Sequence, residues 1–118
     1  MTLRSPPEKP VYVRIREVIA DAILAGRYGD GDSLPSVRAL AAEEGANPLT
    51  VAKAYQGFQD EGLVTVRRGV GLFVAEGART RLRGGERKRF VEEEWPVIRD
   101  RMARLGINAS ELMERERA

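Results

Sequence analysis

The side chains best placed to do chemistry gather around two turns. Asn47-Pro48 opens a short helix, an N-cap residue followed by proline at the first helical position. Leu49, Thr50, Ala52, Lys53 and Gln56 then fall on the face that the apolar pattern of that helix leaves free. Arg67-Arg68-Gly69 sits at the tip of a second turn. These groups suit a polyanion. The first turn of a helix presents free backbone N–H groups and a positive dipole end to a phosphate. Asn47 is a candidate for anchoring that contact, Thr50 and Lys53 for base edges or backbone, and Leu49 for a thymine methyl. Glycine at a turn allows close backbone approach, so Arg67, Arg68 and Gly69 could follow a minor groove or its phosphates.

Each residue also has a plainer reading. Asn47 and Ser36 cap helices, and a cap needs no ligand. Thr50 and Lys53 could be ordinary solvated positions. Gly69 and Gly71 signal a hairpin far more often than a nucleotide loop. Asp30-Gly31-Asp32 lacks the other ligands of a calcium loop and reads as a turn.

Composition removes most competing chemistry. The 118 residues include no cysteine and no histidine. Disulfides, thiolate metal sites, cysteine nucleophiles and the usual neutral-pH general base are therefore all missing. No catalytic constellation, cofactor motif or metal site is expected. Apolar residues make up 42 % of the chain, enough for a small core, but no run approaches the roughly 20 residues of a membrane span. Met1 to Pro10 lacks the apolar stretch of a signal peptide, so a cytoplasmic protein is expected. The net charge of +2 creates no strong overall field. Six cations nevertheless lie between Arg79 and Arg89, with Glu86 as the only acid among them. That stripe fits either a nearby phosphate backbone or a solvated linker.

The elements that hold these groups follow from periodicity. Ser5-Pro6-Pro7 and Pro10 make an irregular lead-in. Tyr12, Ile15, Ile19 and Ile23 form one stripe of an amphipathic helix, stopped near Gly26. Leu34-Pro35 is extended, because proline pushes its predecessor out of the α region. Ser36 then caps a second helix with Val37, Leu40 and Ala41 inward, ended by Gly45. The third helix turns Val51, Ala54, Tyr55 and Phe58 inward and ends at Gly62. A short turn containing Gly45-Ala46 gives the crossed pair of a helix-turn-helix. Val64 and Val66 alternate with Thr65 and Arg67, then Gly69-Val70-Gly71 turns into Leu72-Phe73-Val74, predicting a β-hairpin.

Beyond Glu76 the texture changes. Thr80 to Gly85 reads as a linker. Val91, Trp95, Ile98, Met102 and Leu105 recur at the spacing of a helix that packs on another helix, with a kink or restart expected near Glu94 because of Pro96. Asn108 caps a last helix whose apolar side chains are Leu112 and Met113. The seam points to a second copy of the chain, although a core against the winged domain in the same chain stays open. The expected architecture is mainly α with a small β-hairpin (α+β): a winged helix-turn-helix over residues 1–77 and a helical dimerisation tail over residues 78–118.

The string from Tyr12 to Val74 resembles the DNA-binding domain of the GntR family of bacterial regulators. The resemblance is carried by Tyr12, Ile15, Ile19, Ile23 and Gly26, by Gly31-Asp32-Ser33-Leu34-Pro35-Ser36-Val37-Arg38, and by Leu40-Ala41 and Gly45-Ala46-Asn47-Pro48. It continues through Thr50-Val51, Ala54-Tyr55, Glu61-Gly62-Leu63-Val64 and Arg68-Gly69-Val70-Gly71-Leu72-Phe73-Val74. The tail Arg104-Leu105-Gly106-Ile107-Asn108-Ala109-Ser110-Glu111-Leu112 is similar to the short two-helix tail of the YtrA subfamily. About 40 residues after the wing are too few for the ligand domains of the larger subfamilies.

The resemblance implies a homodimer, usually a repressor, that binds an inverted-repeat operator in double-stranded DNA. It adds Arg38 as a contact pointing at the groove, and places Ser36 and Pro48 beside it in the DNA-facing set. Without it, Arg38 could simply pair with Glu43 or Glu44. The dimer would be joined through Val91, Trp95, Ile98, Met102, Leu105, Leu112 and Met113. A small-molecule effector is possible but not evident, because the tail is short for a pocket. The competing expectation is a winged helix used as a protein-interaction module. Such modules tend to show apolar or acidic groups on the exposed face, whereas Arg38, Lys53, Arg67 and Arg68 share it here.

Overall fold

A computed structural model describes residues 10–117, and the Ser5-Pro6-Pro7 lead-in lies outside them. The apolar stripes fold as helices. The first, α1, spans Val11–Leu24, α2 spans Val37–Glu44, and α3 spans Pro48–Asp60. Ile15, Ile19 and Ile23 are buried, as their spacing predicts, while Tyr12 remains 37 % exposed at the rim. Two strands follow, β1 (Val64–Arg67) and β2 (Gly71–Val74), paired antiparallel with Val64 opposite Val74 and Arg67 opposite Gly71. The alternation holds only at the base of the hairpin. Val64 is buried, but Val66 is 53 % exposed because the hairpin runs out past the core.

The extended stretch before α2 adds to this sheet. Ser33 bridges Phe73, the Leu34 N–H donates to the Leu72 carbonyl at 2.8 Å, and the Val74 N–H donates to the Asp32 carbonyl at 3.0 Å. The outer edge of β2 is thereby covered. Tyr55, Phe58, Ile15, Ile23, Val51 and Val74 are the largest fully buried side chains and form the centre of the core.

Residues 80–85, expected as a linker, are helical. They lie in α4, Ala78–Arg89. The cause is tertiary anchoring. Ala78 and Leu82 are buried in the core, and the Gly77 N–H donates to Asp30 Oδ2 at 2.9 Å. The described residues form two compact units, one ending at Arg83 and the other beginning at Gly84, and the division falls inside α4.

The second unit continues as a π-helical turn, Phe90–Glu94, then α5 (Trp95–Leu105) and α6 (Ala109–Arg117). Pro96 explains the turn. It has no N–H, and its ring clashes with the carbonyl four residues back in a regular helix, so the wider turn precedes it and α5 restarts with proline in its first turn. Gly106, left-handed at φ 68°, closes α5, and Asn108 Oδ1 accepts the Glu111 N–H at 2.8 Å to open α6. Among the described residues no helix is long and apolar enough to cross a membrane.

Candidate nucleic-acid interface

The helix-turn-helix is held by caps at its ends and by one buried hydroxyl. Ser36 Oγ accepts the Ala39 N–H at 3.1 Å, opening α2. Gly45 closes it in the left-handed region at φ 61°, where a side chain would be strained. Asn47 Oδ1 accepts the Leu49 N–H at 2.8 Å, and Pro48 follows in the first turn of α3. The tyrosine hydroxyl of Tyr55 donates to the Pro35 carbonyl at 2.7 Å, tying α3 to the chain entering α2. Burial pushes the Tyr55 phenol pKa up, so it stays a donor. Read as a purely apolar position, Tyr55 hid this role; the signal was tyrosine where phenylalanine would suffice.

The opposite side of α3 is braced by α1. Arg16 lies over the Phe58 ring at 4.3 Å and donates to both Glu61 oxygens at 3.0 and 2.8 Å. Partial burial works against the Arg16 charge, but the Glu61 bonds and charge outweigh it and leave the guanidinium pKa raised. Gly57 makes room for this brace. A Cβ there would lie 2.6 Å from an Arg16 guanidinium nitrogen and 3.2 Å from the Tyr12 hydroxyl.

With its inner face so fixed, α3 turns the expected residues outward. Leu49 is 72 % exposed, Pro48 and Lys53 are exposed, and Thr50 is half-buried. Gln56, also outward, donates to Asp60 Oδ1 at 3.0 Å. Arg38 is exposed on α2. Its alternative role as a partner of Glu43 or Glu44 is not taken up. Arg14 occupies Glu44, donating to its carbonyl at 3.2 Å and pairing with its carboxylate at 3.7 Å. Among the described residues, Arg38, Lys53 and Arg68 have no hydrogen-bond or ion-pair partner.

The wing differs in detail from its expected form. Arg67 is the last residue of β1, not part of the tip, and its guanidinium lies over the Phe73 ring at 4.5 Å. The tip is Arg68-Gly69-Val70, closed by the Val70 N–H donating to the Arg67 carbonyl at 2.9 Å, with Gly69 at φ 74°. Val70, 70 % exposed, and Val66 put apolar groups beside the cations. Sequence reasoning missed both, because alternation assigned Val66 to the core and nothing distinguished Val70 from a turn filler.

Part of the basic stripe has a structural task. Arg79 Nε donates to the Leu24 carbonyl at 3.1 Å, and Arg81 donates to the Gly62 carbonyl at 2.7 Å. Arg79 meets the last carbonyl of α1, where an orphan carbonyl and the negative dipole end attract a cation, and Arg81 meets the Gly62 carbonyl in the turn that closes α3. They are caps, and the phosphate reading of the stripe is left with Arg83, Arg87, Lys88 and Arg89, all exposed.

In the second unit the seam residues lie open. Trp95 and Met102 are half-buried, while Val91 (54 %), Ile98 (42 %), Leu105 (61 %), Leu112 (43 %) and Met113 (59 %) are exposed. Trp95, Ile98, Met102 and Leu105 share one face of α5, at steps of three, four and three. Val91 belongs to the π turn, and Leu112 and Met113 to α6. In the first unit, the cavity beside Tyr28, Leu34 and Tyr55 holds about 80 Å³, well short of the roughly 300 Å³ of a small-molecule site.

Comparisons with known proteins agree with this geometry. The profile of "Bacterial regulatory proteins, gntR family" matches residues 11–74, which run from the start of α1 to the end of β2. The chain is 37 % identical over 100 residues to the HTH-type transcriptional repressor YtrA of Bacillus subtilis, covering 85 % of this chain and 71 % of that protein. That alignment is too long to end at the wing and reaches into the tail. A GntR family transcriptional regulator from Listeria monocytogenes superposes with a TM-score of 0.74 at 29 % identity, over 96 % of this chain and 97 % of its own. AraR(DBD), solved in complex with operator ORR3, superposes with a TM-score of 0.59 at 28 % identity, over 64 % of this chain and 90 % of its own.

Proposed function

The chain belongs to the GntR family of bacterial regulatory proteins, and from that membership we propose a cytoplasmic repressor that binds an inverted-repeat operator as a homodimer. It is a DNA-binding transcription regulator, not an enzyme. In this reading residues 1–77 contact the DNA and residues 78–118 join the two copies.

The observation that carries the proposal is Leu49. Its large apolar side chain, left 72 % exposed on the first turn of a capped helix whose outward Lys53 has no partner, is free to enter a groove. There Leu49 meets a thymine methyl, Thr50 and Lys53 meet base edges or backbone, and Arg38 forks onto guanine. Asn47 uses its oxygen as a cap, so its amide N–H groups remain for a phosphate. Ser36 likewise accepts the Ala39 N–H and keeps its own O–H to donate. Pro48 lacks an N–H, and the Leu49, Thr50 and Val51 N–H groups already bond Asn47, so an anion at this end is held by side chains. On the wing, Arg68 and Gly69 approach the backbone and Val70 packs against sugar. Arg67, stacked on Phe73, presents one guanidinium edge to phosphate.

Dimerisation rests on the open seam of Val91, Trp95, Ile98, Met102, Leu105, Leu112 and Met113. YtrA carries the name of a repressor, which is the basis for proposing repression. Selection from a random duplex library should return an inverted repeat, and Arg38→Ala should weaken binding to it by about 1–3 kcal/mol with fold and dimer intact. Unchanged affinity in an anisotropy titration would remove Arg38 from the interface; failure to enrich any duplex would remove the regulator reading.

A further inference from the structure

Helix α4 is firmly attached at its root and weak in its middle. The root is held by buried Ala78 and Leu82, by Asp30 on the Gly77 N–H, and by the Arg79 and Arg81 bonds to the Leu24 and Gly62 carbonyls. Directly past it come Gly84 and Gly85, both exposed, and the boundary between the compact units falls just before Gly84. Glycine usually answers a need for positive φ or for close packing. Neither residue is among the positive-φ glycines, and a Cβ on either would meet nothing within 4 Å. What two adjacent glycines add is backbone freedom. Each lowers the local helix equilibrium roughly fivefold relative to alanine.

We propose that Gly84-Gly85 is a hinge in α4 that sets how widely the spacing between operator half-sites can vary. The inference rests on the homodimer reading. The anchored root keeps the start of α4 fixed on the DNA-binding unit, so bending within α4 falls at the glycine pair. A dimer hinged there on both copies seats its units on half-sites whose centres depart from one DNA turn, about 10 bp, by a base pair or two. A rigid α4 admits one spacing.

The test is the full chain with Gly84→Ala and Gly85→Ala together, which the open space around both positions accommodates. Duplexes carrying the half-sites recovered by library selection, respaced by one and two base pairs, are titrated by anisotropy. Sedimentation reports the oligomer, and hydrogen exchange reports the amides of residues 84–88. Both proteins should sediment as dimers and bind the best spacing within about threefold of each other. At two base pairs off, the variant should lose at least about tenfold and the parent less than about threefold. Exchange at residues 84–88 should slow by about tenfold or more, with residues 78–83 unchanged. Identical spacing profiles, or unslowed exchange, overturn the hinge. A variant that sediments as a monomer also overturns it, since the glycines would then serve close approach of a second copy. A parent that is monomeric, or binds a lone half-site as tightly as the pair, sinks the homodimer reading instead, and the exchange measurement still decides whether the pair bends.

Discussion

Similar apolar residues meet opposite fates in the two units. Ile15, Ile19, Ile23, Val51 and Phe58 repeat at helical spacing and are almost wholly buried in the first unit. Trp95, Ile98, Met102 and Leu105 repeat at the same spacing on α5, and no residue of α5 or α6 is buried. Hydropathy periodicity therefore marks a face that needs covering without saying what covers it. In the first unit the cover is three helices, a hairpin and the root of α4 within reach of one another; in the second, the proposed cover is another copy of the chain.

The sharpest way to probe this contrast is to cut the chain at two places. Ending it after Arg83 keeps every residue of the first core. Ending it after Ala75 removes buried Leu82 and Ala78 together with the Arg79 and Arg81 caps. The shorter piece should lose about 4–5 kcal/mol, a large part of the 5–15 kcal/mol typical of a small domain. Equal urea midpoints for the two pieces would show that α4 is not part of that core. Next in size, Phe58→Ala should destabilise the first unit by about 3–5 kcal/mol, because it empties the centre of the core and removes the ring under Arg16. The smallest effect on melting of the first unit, under about 0.5 kcal/mol, is expected from Ile98→Asp. The same change should turn a sedimenting dimer into a monomer. A full-length dimer that survives it would place the interface elsewhere.

Much of the first unit was legible because its signals are local. Ser36, Asn47 and Gly45 announce helix ends through their own backbone chemistry, and period-3.6 and period-2 patterns separate α1–α3 from the hairpin. The outward residues of α3 followed from the inward ones. Features made by distant partners were not legible. Residues 80–85 carry a glycine pair that reads as a linker, and they are helical because Leu82 and Ala78 dock on a core assembled by residues far earlier in the chain. Arg79 and Arg81 read as either phosphate neighbours or solvated linker charges, because their carbonyl partners lie 55 and 19 residues away. Arg67 was placed at the wing tip because alternation cannot say that its guanidinium folds back onto Phe73. Proline at position 96 announced an interruption, but not that a π turn would absorb it.

The Ser33–Phe73 bridge has an effect on behaviour at high local concentration. Exposed strand edges are templates on which identical chains zip together. Here one side of the hairpin is already occupied by the chain's own backbone, and the other, β1, is four residues long and ends in an arginine. Copies crowded onto neighbouring stretches of a chromosome thus meet only one short, charge-ended sheet margin, a poor template for end-to-end polymerisation.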